Sequence, residues 1–233
     1  MFCTGAKKCI KRLLLLSKME EYKTIASAGS FEQILQKSTF IAIAAPAEDE
    51  AQAMERLKEE KKRYPDARHH CWAYRLGAAG ENVRCSDDGE PQGTAGVPIL
   101  ECLKKKKITD AVIVVTRYFG GILLGAGGLA RAYASGASGA LDAAKTAFMG
   151  LSARFEIFME YTHFAHTEHI IKSRSYIVVE NIAFSESVCI DCVVKQADEA
   201  RLERELAALT NGRARCRKTG TLYYPWEEEH ENR

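Results

Sequence analysis

The sequence lacks any long uninterrupted run of apolar residues. The longest candidate, Ile113–Val115 continuing to Leu123 and Leu124, is interrupted by Arg117 and by glycines. Because a membrane-spanning helix needs ~18 apolar residues, we expect no membrane span. The apolar stretch Leu13–Leu16 is also shorter than the ~7–15 residues of a secretory signal core, so we do not expect secretion.

The sequence also has little excess charge of either sign. It holds 33 lysines and arginines against 31 acidic residues, and five of the bases lie within residues 1–18, where there is no acid. Residues 19–233 therefore carry a net charge of −3. We interpret segment 1–19 either as translated from upstream of a true start at Met19 or as a basic anchoring arm. Nucleic-acid binding by the remainder would require a local basic patch.

What is present is an ordinary globular composition. The 233 residues are 46% apolar and 27% charged, which fits one large or two small domains and argues against disorder. The eight cysteines are scattered, so we expect reduced thiols in the cytoplasm rather than a disulfide framework. Cys189 and Cys192 are spaced like half a zinc site, but they lie in a predicted strand, where residues three apart face opposite sides.

Hydrophobic spacing predicts an α+β domain over residues 20–150. Short strands are expected within 24–45, with a turn at 28–30, and a helix begins at Glu48 and ends at Pro65. Residues 110–116 form a continuous apolar strand, which indicates burial on both faces. The other predicted elements are strands at 68–76 and 83–85, a helix at 98–107, and a long helix that ends at about Phe148.

After Gly150 the pattern changes to the order βαββαβ, which is typical of a ferredoxin-like domain. We place this domain at residues 151–227 and expect the acidic end, 228–233, to be frayed. The predicted elements are a strand at 155–159, a helix at 162–172, strands at 176–183 and 187–194, a helix at 197–209 and a strand at 213–223.

Two glycine-rich stretches, residues 86–96 and 117–128, each run from a strand into a helix. Backbone N–H groups in such turns, together with a helix N-terminus, bind phosphate or carboxylate in many proteins. Neither stretch matches a nucleotide P-loop or the Gly-x-Gly-x-x-Gly spacing. The alternative is that the glycines, Gly120 and Gly121 among them, serve tight turns and helix–sheet packing.

Three carboxylates, Asp87, Asp88 and Glu90, lie within four residues of one another. They are suited to holding Mg²⁺ or, if buried together, to general acid–base chemistry. The alternative is turn chemistry, because Asp-Asp-Gly side chains bond their own backbone. We predict no other metal or cofactor.

Basic and imidazole side chains border the same stretches. Arg68 precedes His69 and His70, which are adjacent on a strand, so only one of these histidines can face a shared site. Arg117 ends a buried strand, where it is placed for bidentate binding of phosphate or carboxylate. Its alternative role is a salt bridge to Asp87 or Asp88. The chain has no Gly-x-Ser-x-Gly elbow and no His-Glu-x-x-His motif.

These stretches, 66–71, 86–96 and 117–129, closely resemble the YigZ/IMPACT family of uncharacterised proteins. The resemblance covers about residues 20–150, and the remainder is similar to the small C-terminal domain of bacterial members. It implies a βαβ-type first domain similar to the second domain of a small-subunit ribosomal protein. It also implies a second domain similar to a late domain of elongation factor G. The family's motif positions fall on Arg68, His69, His70, Asp87, Asp88, Glu90, Arg117, Gly120 and Gly121, and none transfers as catalytic.

The resemblance links eukaryotic relatives to translational control and bacterial members to nucleic acid. We therefore expect a protein that contacts RNA, the ribosome or a translation factor, assisted by basic residues near the motifs: Arg75, Arg84, Lys104–Lys107 and those above. Two alternatives stay open. One is a hydrolase acting on a phosphorylated or carboxylated small molecule, and the other is a protein-interaction module. The oligomeric state is not predicted.

Overall fold

The computed structural model describes residues 21–226, so the basic segment 1–19 and the acidic end 228–233 lie outside the described residues. Within this range the chain divides into two compact units, residues 21–148 and 149–226. Among these residues, no helix combines the length and apolar character that crossing a membrane demands.

The first unit is built on a five-stranded antiparallel sheet with the strand order β2-β3-β6-β4-β5. The central strand β6 is buried from Ala111 to Arg117, because helices cover both faces of the sheet. This confirms the prediction from its continuous apolar sequence. The five strands of the sheet are β2 (Gly29–Leu35), β3 (Ser38–Pro46), β4 (His69–Leu76), β5 (Asn82–Ser86) and β6 (Ala111–Tyr118), and β1 (Glu21–Ser27) precedes them outside this sheet.

Three helices cover this sheet: α1 (Glu50–Arg63), α2 (Gly96–Lys105) and α3 (Gly125–Ala143). Helix α1 contributes Ala53 to the apolar cluster on one face, whereas α2 and α3 contribute to the larger cluster on the other face. The Asp49 carboxylate caps α1 by accepting the N–H of Gln52 at 2.8 Å. Acidic residues at the start of this helix and basic residues at its end match the expected dipole pattern.

Two local predictions are wrong. Helix α3 ends at Ala143, not near Phe148, because Ala144 adopts an extended conformation and the chain continues as strand β7 (Lys145–Met159). No turn forms at 28–30, where Ala28 alone separates β1 from β2, and the tight turn of the first hairpin lies further along the chain. It lies at Gln36 and Lys37, which have φ angles of 46° and 64° and join β2 directly to β3.

The second unit has the ferredoxin-like topology that its element order predicts. After β7 come α4 (Tyr161–Lys172), β8 (Ile177–Phe184), β9 (Val188–Lys195), a 3-10 turn (Gln196–Asp198), α5 (Glu199–Thr210) and β10 (Arg215–Trp226). Its strands have the order β10-β7-β9-β8. As predicted, Cys189 and Cys192 face opposite sides of β9, and only Cys192 is fully buried in the core.

Candidate functional site

The site begins as a row of side chains at one end of the first sheet. In the strand register, Arg117 of β6 lies opposite His69 of β4 and opposite Phe40 of β3, so the three share one face. The guanidinium carbon of Arg117 lies 5.4 Å from the centroid of the Phe40 ring and 5.5 Å from that of Phe119. These two rings hold the cation in place through favourable cation–π contacts.

Glu90 neutralises the buried Arg117. Its Oε1 lies 2.5 Å from Arg117 Nη1 and accepts a hydrogen bond of 2.9 Å from the Tyr133 hydroxyl. The Arg117 and Glu90 side chains are only 5% and 4% exposed. The predicted alternative, a salt bridge to Asp87 or Asp88, is therefore wrong in its partner. Among the described residues, the buried Nε of Arg117 has no hydrogen-bond partner.

Asp87 organises the loop that carries Glu90. Its carboxylate accepts the backbone N–H groups of Gly93 at 2.8 Å, Ala95 at 3.0 Å and Gly96 at 2.8 Å. Burial alone would raise the pKa of Asp87, but these three hydrogen bonds outweigh it and lower the pKa. The contacts of Asp87 are therefore those of the predicted alternative, in which the side chain bonds nearby backbone groups of its own turn.

Asp88 is also occupied by the surrounding chain. Its Oδ2 accepts the backbone N–H of His70 at 2.7 Å, and its Oδ1 lies 3.5 Å from Lys61 Nζ. Its φ angle of 41° places it in the left-handed region of the turn. Within residues 21–226, no three His, Cys, Asp or Glu side chains are arranged to hold a metal ion.

The two histidines face opposite sides of β4, as predicted. His69 Nδ1 lies 2.8 Å from the Asp88 carbonyl oxygen, and His69 Nε2 lies 4.0 Å from Glu90 Oε1. Because a carbonyl only accepts, Nδ1 carries a proton, and in this tautomer Nε2 is an acceptor. His70 is buried away from this site with Nδ1 3.0 Å from Thr116 Oγ1, and burial lowers its pKa.

The two glycines after β6 have different roles. A Cβ at Gly120 would lie 2.0 Å from the backbone of Lys37, so only glycine fits there. The Gly120 N–H donates to Ser38 Oγ at 3.2 Å. Gly121 has a φ angle of 84° and open space around it, so it serves the turn itself.

These elements enclose a cleft of 380 Å³. Its polar side includes Arg68, whose exposed guanidinium has no ion-pair partner among the described residues. Helix α3 reaches the cleft through Gly125, and its N-cap residue, Leu124, provides no side-chain cap, so the first N–H groups of this helix are without one. The lining residues are Arg68, His69, Glu90, Pro91, Arg117, Phe119, Leu123, Leu124, Gly125, Ala126 and Leu129.

The cleft joins only part of the predicted set. Four of the predicted site residues line it, namely Arg68, His69, Glu90 and Arg117. The remaining five stand behind it or in its loops: His70, Asp87, Asp88, Gly120 and Gly121. Two residues that shape the site, Tyr133 and Phe119, are not among the predicted ones. Tyr133 gives no signal beyond its helical spacing, whereas Phe119 is a large aromatic residue inside a glycine-rich loop, which is a detectable sign.

Four of the other basic residues that were expected to assist are engaged elsewhere. Arg75 donates to the Ile108 carbonyl at 3.0 Å, and Arg84 pairs with Glu50 at 2.6 Å. Lys104 pairs with Glu101 and Lys106 pairs with Asp142. None of these four residues lines the cleft.

Comparison with known proteins places this arrangement in a family. Residues 36–141 match the Impact N-terminal domain, and residues 157–213 match a second model described as a domain of unknown function (DUF1949). The chain is 36% identical over 206 residues to the IMPACT family member YvyE of Bacillus subtilis (strain 168), covering 88% of this chain and 94% of that protein. The chain belongs to the IMPACT family.

Other proteins are similar to this chain as well. The IMPACT family member YigZ of Escherichia coli (strain K12) is 31% identical over 83% of this chain and 96% of its own length. The crystal structure of a hypothetical protein is similar with a TM-score of 0.59 and 30% identity, over 87% of this chain and 98% of that one. Protein IMPACT of Bos taurus is 34% identical over 95 residues, which cover 39% of this chain and 29% of that protein.

Proposed function

We propose that this IMPACT-family chain binds RNA of the translation apparatus through the cleft at the end of β6. The observation that carries the proposal is the charge arrangement there. Glu90 neutralises Arg117, while Arg68 and the uncapped N-terminus of α3 remain unpaired among the described residues. The cleft is therefore positive, and a phosphate group complements it.

The apolar side of the cleft supports a nucleotide rather than a bare anion. Phe119 lines the cleft and is 41% exposed, so its ring is available to a flat partner. Proteins that bind unpaired bases stack them on such aromatic rings. A phosphate near Arg68 and a base against Phe119 would use both sides of the cleft.

The overall charge agrees with a small contact area. Residues 21–148 hold 17 basic and 16 acidic side chains, so affinity must arise locally. Each phosphate contact on a single strand contributes about −0.7 to the slope of log affinity against log salt. One or two contacts give a slope of about −1. The six free cysteines that the structure describes fit a reducing compartment such as the cytoplasm.

The test compares Arg68→Gln with Arg84→Gln, an exposed arginine outside the cleft. Fluorescence anisotropy with a short labelled single-stranded RNA measures affinity between ~50 and ~200 mM salt. We expect Arg68→Gln to weaken binding about tenfold and to flatten the salt slope, whereas Arg84→Gln changes neither. Equal affinity of wild type and Arg68→Gln would contradict the proposal, as would the absence of binding by wild type.

A second candidate function, hydrolysis, is supported by the positions of His69 and Glu90. The acceptor Nε2 of His69 and the buried Glu90 face the same cleft, an arrangement suited to activating water against a phosphorylated or carboxylated small molecule. If the chain is a hydrolase, His69→Gln abolishes turnover of such a substrate and leaves its binding intact. Unchanged turnover in His69→Gln would remove this candidate.

A further inference from the structure

We infer that the cleft takes a nucleotide bearing a terminal phosphomonoester, not an internal phosphodiester of an RNA strand. This inference rests on the proposed function and names the ligand of the same site. Three features of the cleft support it: its volume, the number of its hydrogen-bond donors and its division into a polar and an apolar side.

The volume of the cleft matches a single nucleotide. The cleft measures 380 Å³, at the small end of the range of about 300–1,000 Å³ for small-molecule sites. Folds that track a single strand use grooves for about 4–16 nucleotides. Leu124 and Leu129 line the cleft beside the polar groups and limit its polar part to a few side chains. One nucleotide fits, and a chain would enter by its end.

The free donors of the cleft suit the three oxygens of a terminal phosphate. Arg68 offers an exposed guanidinium without an ion-pair partner among the described residues, and the first N–H groups of α3 lack a side-chain cap. An internal phosphate has two unbridged oxygens, whereas a terminal phosphate has three and carries a charge of about −1.5 to −2 at neutral pH. Glu90, the one carboxylate that lines the cleft, is already bonded to Arg117 and Tyr133, so it leaves little charge to repel this anion.

The apolar side accounts for the rest of the nucleotide. Leu123 is 85% exposed and lies at the cleft beside Phe119, which is 41% exposed. Together the two side chains form an apolar surface in contact with water, and such a surface often marks a binding site. A base placed against Phe119 would cover this surface. An inorganic anion would leave it open, so the cleft favours a ligand with an anionic head and a flat apolar body.

The experiment uses the full chain and RNA oligonucleotides of one sequence, labelled internally, with a 5′-phosphate, a 3′-phosphate or hydroxyl groups at both ends. We expect a phosphorylated form to bind at least about tenfold tighter than the hydroxyl form. Equal binding of all three would overturn the inference and leave RNA binding intact. If no oligonucleotide binds but adenosine monophosphate protects the chain against thermal unfolding, the ligand is a free nucleotide and the RNA proposal fails. If nothing binds, both fail.

Two variants separate the halves of the ligand. Phe119→Leu keeps an apolar side chain but removes the ring, so we expect weaker binding of the phosphorylated oligonucleotide and unchanged competition by inorganic phosphate. Arg68→Gln should weaken both the binding of the phosphorylated oligonucleotide and the competition by inorganic phosphate. Circular dichroism confirms that each variant is folded. Unchanged oligonucleotide affinity in Phe119→Leu would show that no base is stacked there and would contradict the inference.

Discussion

Asp87 holds the loop that carries Glu90, and an isosteric substitution can measure this contribution to stability. Asp87→Asn removes the charge that three backbone N–H groups favour, so we expect a loss of about 1–2 kcal/mol in the free energy of unfolding, at the low end for charged hydrogen bonds because the group is partly solvated. Urea unfolding of wild type and Asp87→Asn at pH 7 measures this difference.

The same pair of proteins gives a pH test with a definite sign. The pKa of Asp87 is lowered in the folded state, so its stabilisation is complete above the ordinary pKa of about 3.9 and is lost as pH falls through the folded value. The difference in stability between wild type and Asp87→Asn should therefore shrink below about pH 4. A difference that stays constant down to acid pH would show that the charge is irrelevant to the loop.

At the scale of single residues, the sequence predicts which way a side chain points better than it predicts its partner. The opposite orientations of His69 and His70 follow from strand geometry alone. The partner of Arg117 does not, because Glu90 is placed by a loop whose path depends on the three N–H groups that Asp87 binds. Tyr133 enters from a helix far along the chain, and no local pattern indicates this approach.

Among the elements, the loop after β6 depends on the absence of a side chain at Gly120. In Gly120→Ala, a Cβ 2.0 Å from the Lys37 backbone would push the β2–β3 turn away from this loop, so we expect a loss of several kcal/mol. Gly121→Ala is the matched control. It meets open space but keeps a φ of 84°, so its cost should be about 1–2 kcal/mol. Thermal unfolding of both variants shows which of them loses more stability, and equal losses of stability would contradict the packing argument.

How well the end of a helix or the position of a turn can be predicted depends on whether a local signal marks it. The ends of α1 are predicted to within two residues, because the Asp49 cap and Pro65 act locally. The end of α3 at Ala143 carries no such signal, because Ala144 and Ala147 continue its alanine-rich sequence while the backbone becomes extended at Ala144 and β7 begins. The turn at Gln36 and Lys37 is equally hidden, because positive φ angles are held there by the hairpin register and not by glycine or asparagine.

For the whole molecule, the order of elements is the most informative pattern. The βαββαβ order is sufficient to predict the second unit, since short connections bring consecutive elements together in few ways. The first unit is recognised by its motifs, and its strand order β2-β3-β6-β4-β5 does not follow from spacing. Each unit nevertheless encloses a separate apolar core, which makes the independence of their stabilities a measurable property.

Leu103 of α2 and Leu206 of α5 are matched probes of these two cores, because both are helical leucines that are almost completely buried. Replacing either by alanine should cost about 2–5 kcal/mol in its own unit. Hydrogen exchange followed by mass spectrometry reports each unit separately. We expect Leu103→Ala to lower amide protection within 21–148 and Leu206→Ala to lower it within 149–226. A uniform loss of protection in either variant would mean that the two cores unfold as one cooperative unit.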